Sequence, residues 1–85
     1  MELIEEIKNI LKDDKSVVIS NTGDDEYLFY RKINEDYINL IVDDDLDIEI
    51  LVIKKDRTET YNEIFSHGEY KLEDVIERFN KLCAG

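Results

Sequence analysis

Glu26-Tyr27-Leu28-Phe29-Tyr30-Arg31-Lys32-Ile33, then Asn34-Glu35-Asp36, then Tyr37-Ile38-Asn39-Leu40-Ile41-Val42: the fold is decided by this stretch. Two runs rich in aromatic and β-branched residues flank three turn formers, which predicts one strand from Glu26 to Ile33 and another from Tyr37 to Val42. The connection is too short for a helical crossover, so the two strands are antiparallel. Upstream, Val17-Val18-Ile19 is a further β-branched run, and Asn21-Thr22-Gly23-Asp24-Asp25 is a dense turn signal, together predicting a hairpin with the Glu26 strand. Downstream, the acidic corner Asp43-Asp44-Asp45 leads to a fourth strand from about Asp47 to Lys54. The stretch Thr58 to His67 fits a fifth strand, with Lys55-Asp56-Arg57 as its turn, and also tolerates an irregular path.

At both ends of the chain the period changes from two to 3.6. Leu3, Ile4, Ile7, Ile10 and Leu11 form one apolar stripe, stopped by Asp13-Asp14-Lys15. Leu72, Val75, Ile76, Phe79, Leu82 and Cys83 form another, and Gly85 is suited to end it. The predicted class is therefore α+β: a helix, an antiparallel meander of four to five strands, and a helix. Both helices are expected on one face of the sheet, because each stripe needs cover and the other face is then open. With no proline, three glycines and no repeat, residues 1–85 read as a single domain.

The chain carries 22 Asp and Glu against 11 Lys and Arg, a formal charge of −11. That charge repels nucleic acid and anionic lipid and attracts basic protein surfaces. The 42% hydrophobic content, rich in Ile, Leu and Val, argues against disorder. Cys83 is the single cysteine, which excludes an intramolecular disulfide and fits a reducing compartment. No apolar run approaches a membrane span, and Met1-Glu2-Leu3-Ile4-Glu5-Glu6 is acidic where a secretory leader is basic. A cytoplasmic, non-membrane protein is expected.

Little in the sequence points to chemistry, and the expectation is no enzyme and no cofactor. Ser66-His67-Gly68-Glu69 supplies triad-like residue types, but sequence neighbours rarely converge, and a loop histidine is the simpler reading. Cys83 lies on the second apolar stripe, where it reads as a small core residue with no cation arranged to activate it. Asp43, Asp45 and Asp47 match the first, third and fifth positions of a calcium loop, yet Ile48 stands where glycine is needed and Lys54 where the bidentate glutamate belongs. No specific metal site is expected there, only adventitious divalent binding. No phosphate-binding glycine loop exists.

What stands out is the placement of acid at turns. The candidate partner-binding residues are Asp24, Asp25, Glu26, Glu35, Asp36, Asp43, Asp44, Asp45, Asp47 and Glu49, and no Lys or Arg interrupts residues 35–49. In an extended segment, alternate residues stand about 6.6 Å apart on one face, so Asp45, Asp47 and Glu49 would offer carboxylates at a spacing like that of nucleic-acid phosphates. The simpler alternative is a solvated loop. The start Leu3-Ile4-Glu5-Glu6-Ile7-Lys8-Asn9, followed by a short strand and a Thr-Gly-Asp turn, resembles the small acidic Cas9 inhibitors of Listeria prophages. The likeness covers about the first quarter of the chain. It implies an anti-CRISPR role: a phage inhibitor that mimics DNA on a basic groove of a host defence nuclease. Three other readings compete: an immunity protein that neutralises a basic nuclease toxin, a structural or regulatory module that dimerises through an open sheet face or edge, and a small enzyme using Ser66, His67 or Glu69. As a binder the protein is expected to be a monomer or homodimer whose partner is a basic protein.

Overall fold

The computed structural model describes residues 2–12, 17–23 and 26–84, with only the backbone of Thr22 and Gly23. The element order is α1 (Glu2–Leu11), β1 (Val17–Gly23), β2 (Glu26–Ile33), β3 (Asp36–Val42), β4 (Ile48–Ile53), β5 (Glu59–Phe65) and α2 (Leu72–Ala84). The strands form one sheet in the order β1-β2-β3-β4-β5, every neighbour antiparallel. This is the expected α+β meander, and the fifth strand is present. The expected helix stop at Asp13-Asp14-Lys15, the hairpin tip Asp24-Asp25 and the terminal Gly85 lie outside the described residues.

Two strands are longer than the sequence reading, and β4 and β5 are one or two residues shorter at each end. β1 runs on through Asn21 to Gly23, because pairing with Tyr27 and Glu26 continues across a register shift and absorbs residues that read as turn formers. Asp36 begins β3 opposite Ile33, leaving a two-residue turn. Its central residues, Asn34 and Glu35, have φ of 51° and 71°, the backbone that a two-residue hairpin needs to match strand twist.

Alternation divides the sheet into two faces. Phe29, Leu40 and Ile50 form one row across the middle strands, all fully buried, flanked by Ile38, Val42 and Ile48. The helices contribute Ile4, Ile7, Leu11, Val75, Ile76, Phe79 and Cys83 to the same core, so both helices cover this face. Arg78 fastens α2 to β5, its Nη1 donating to the Tyr61 hydroxyl at 2.8 Å and to Glu63 Oε1 at 2.9 Å. The Arg31 guanidinium lies 5.5 Å from the centre of the Phe79 ring. Ile10, expected on the α1 stripe, is 51% exposed. A 3.6-residue turn places it about 90° from the seam of Ile4, Ile7 and Leu11, beyond the width that the sheet covers.

The opposite face has no helix over it. Val18, Tyr37 and Ile64 are exposed on it, and Leu28, Tyr30, Ile41, Leu51 and Ile53 are partly so. At its centre Asn39 is buried, and its Nδ2 donates to the Leu51 carbonyl at 3.0 Å and the Tyr37 carbonyl at 3.3 Å. Pairing the amide to backbone removes the cost of burying it.

The β4–β5 turn is closed by Arg57 N–H to Lys54 O at 2.8 Å and Lys54 N–H to Thr58 O at 2.9 Å, with Arg57 at φ 70°. A side chain is strained in that left-handed region and glycine is not. Arg57→Gly is expected to raise stability by about 0.5–1 kcal/mol, read as a higher urea midpoint at unchanged slope.

Candidate acidic interaction site

The β3–β4 loop is built by its own carboxylates. Asp43 Oδ1 accepts the backbone N–H of Asp45 at 2.9 Å and that of Asp47 at 3.0 Å, an Asx turn that folds the loop back on itself. Asp43 N–H donates to the Asp47 carbonyl and Leu46 N–H to the Asp43 carbonyl, both at 3.1 Å, with Leu46 at φ 66°. Two bonds tie this loop to the β5–α2 connection: His67 N–H donates to Asp47 Oδ1 at 2.7 Å, and the Tyr70 hydroxyl donates to the Leu46 carbonyl at 2.9 Å. Burial, reinforced by the nearby charges of Asp47 and Asp43, pushes the Tyr70 hydroxyl above its ordinary pKa.

This geometry replaces the expected ladder. Asp45 and Asp47 lie in a folded loop, and carboxylate oxygens of Asp43, Asp45 and Asp47 come within 4.8 Å of one another. They form a cluster, with only Glu49 on a strand. Three such oxygens can approach a hard cation. Where a calcium loop needs a turn glycine, Ile48 begins β4 and pairs with Val42.

The structure brings some of the predicted residues together and separates others. Glu26, Asp43, Asp47 and Glu49 line one groove of about 290 Å³ with Ile41, Ile48 and Ile64, at the loop end of the open face. The Tyr27–Val42 pairing places the start of β2 beside the end of β3 and so brings Glu26 to Asp43. Asp44 and Asp45 are exposed on the adjoining loop. Glu49 also accepts a hydrogen bond from the Asn62 amide across β4 and β5. Glu35 and Asp36 belong to the opposite end of the strands. Asp36 is half-buried near the C-terminus of α2, where it lines a groove with Asn34, Lys54 and Ala84. Glu35 pairs with Lys55 at 2.8 Å. Asp24 and Asp25 lie outside the described residues.

Sequence reasoning missed the character of that second end. Lys32, Lys54, Lys55 and Arg57 line a groove around Tyr37 and Ile53 in which Glu35 is the one carboxylate among the described lining residues, and Lys32 Nζ stands 5.6 Å from the centre of the Tyr37 ring. The signal was available in the KKDR turn, Lys54-Lys55-Asp56-Arg57, and in Lys32, which shares a strand face with Tyr30.

Ser66, His67 and Glu69 are exposed on a turn closed by Glu69 N–H to Ser66 O at 2.9 Å, with Gly68 at φ 84°, and the His67 bond to Asp47 uses its backbone. Cys83 is buried in the core. Burial raises its thiol pKa, against a smaller lowering by Arg31, a cation that the sequence reading did not place beside it. No described helix is long and apolar enough to cross a membrane. No family model, curated protein or solved structure matches the chain.

Two outcomes follow from these contacts. Asp43→Ala removes the acceptor of two loop N–H groups and is expected to cost about 1–2 kcal/mol, measured by urea denaturation. The Cys83 thiol, 7% exposed in the last turn of α2, is expected to react with a disulfide reagent at neutral pH more slowly than in denaturant, where it reaches full rate.

Proposed function

We propose that this protein is a non-catalytic inhibitor that binds a basic surface of a nucleic-acid-handling protein through the acidic loop end of its open sheet face. The observation that carries the reading is the groove in which Glu26, Asp43, Asp47 and Glu49 surround Ile41 and Ile64, with no Lys or Arg among the described residues that line it. Four carboxylates at the rim of apolar surface suit a partner that presents Arg or Lys beside an apolar anchor. Aromatic and aliphatic side chains of the open face supply contact area, while the charged rim sets orientation and association rate.

The acidic end acts as a compact cluster, so the mimicry is of local anionic charge and not of a regular phosphate row. The resemblance of the N-terminal segment to phage Cas9 inhibitors, together with the charge of −11, makes a CRISPR-type nuclease the partner class and the cytoplasm the place of action. Asp43 and Asp47 hold the loop, which leaves the exposed Asp44 and Asp45 to face a partner, with Glu26 and Glu49 beside them on the strands.

The test compares the wild-type protein with a variant carrying Glu26→Gln, Asp44→Asn, Asp45→Asn and Glu49→Gln, which keeps the loop acceptors. The readout is inhibition of target-DNA cleavage by CRISPR-type nucleases at low and at about 0.5 M salt. Wild-type protein is expected to inhibit at low salt, with at least a tenfold loss in the variant and a marked loss at high salt. Inhibition unchanged by the four substitutions, or none against any such nuclease, overturns the reading.

A further inference from the structure

We infer that the free protein forms a homodimer in which two open sheet faces pack on each other about a two-fold axis perpendicular to the strands. The open face is ordered along the strand direction. Its loop end carries Glu26, Asp43, Asp47 and Glu49 with no cation among the described residues lining that groove, and its other end carries Lys32, Lys54, Lys55 and Arg57 against Glu35 in the same groove and Asp56 in the same turn, which leaves positive charge in excess there. Between the two charged ends lie Tyr30 and Leu51, with Val18 on the outer strand, while Asn39 turns its amide into the backbone.

This layout is complementary to itself. Rotation about an in-plane axis over the row of Tyr30, Asn39 and Leu51 reverses strand direction, so each acidic end falls on the basic end of the other copy. An axis parallel to the strands would place acid on acid and is disfavoured by like charge. A chain with a charge of −11 has few surfaces that a second copy can approach, and this face supplies the cations that make the approach favourable. Five strands about six residues long give a face of roughly 500 Å² in projection. With the two charged ends included, it approaches the roughly 800 Å² per partner of a standard interface. Sheets that pack face to face do so with strands nearly aligned and side chains interdigitated, and the residues between the charged ends are uncharged as that packing requires.

The inference rests on the proposed function only in using the same acidic end. A basic partner and a second copy then compete for Glu26 and Glu49, and the dimer is the stored form that the partner opens.

Sedimentation equilibrium of the free protein at low salt, which involves no partner, tests the dimer separately from inhibition. One variant carries Lys54→Glu with Arg57→Glu, and another carries Glu26→Lys with Glu49→Lys. Wild type is expected to be dimeric, each variant alone to dimerise at least tenfold more weakly, and an equimolar mixture of the two to form a heterodimer. In the unmodified protein, Glu49 and Lys54 lie about 17 Å apart along β4, so a zero-length carbodiimide link between them must join two copies. A monomeric wild type at about 0.2 mM, a dimer indifferent to both variants, folded variants that fail to pair, or the absence of that link each overturns the inference.

Discussion

Packing of the Phe29–Leu40–Ile50 row beneath the apolar stripes of α1 and α2 is the interaction on which the rest of this molecule depends. The two helices, 10 and 13 residues long, supply the cover for one sheet face. The hydrophobic driving force is satisfied there, at about 25 cal/mol per Å² of apolar surface removed from water. The second face is left to solvent with Val18, Tyr37 and Ile64 exposed. In a small domain, such a face is the natural place for recognition.

Charge is distributed in relation to that layering. The strands run between a loop end bearing Asp43, Asp44, Asp45 and Asp47 and a turn end where Lys32, Lys54, Lys55 and Arg57 outnumber Glu35 and Asp56 around one groove and its turn. The acidic loop is stiffened by bonds to Asp43 and Asp47, so part of its carboxylate content works inside the fold and part faces outward. The run therefore divides between residues that build the loop and residues that face solvent. Asp43 and Asp47 are held as structural acceptors, while Asp44 and Asp45 are exposed. His67, which invited a catalytic reading in sequence, contributes a backbone N–H to this construction.

Much of the architecture could be read in advance. The change from a 3.6-residue period to a two-residue period at Val17, and back at Leu72, marks both helices and the sheet, and short connections force antiparallel neighbours. Boundaries were harder wherever local chemistry opposed tertiary pairing. Asn21, Thr22 and Gly23 look like a turn, yet pairing with β2 carries them into a strand. Ile10 has the residue type of a core position, but its angle on the helix takes it past the sheet.

The sequence by itself determined the order of elements, the antiparallel connectivity, the core stripes of both helices and the excess of negative charge, because each depends on local periodicity or composition. Only the tertiary structure decided which acidic residues share a surface. A strand of seven residues carries the chain about 23 Å, so Glu35 and Asp36 end far from Asp43 although only six residues lie between Asp36 and Asp43. Glu26, distant in sequence, is brought to Asp43 by the Tyr27–Val42 pairing. Register in the sheet is a property of paired strands, and it sets the faces and ends on which charges meet.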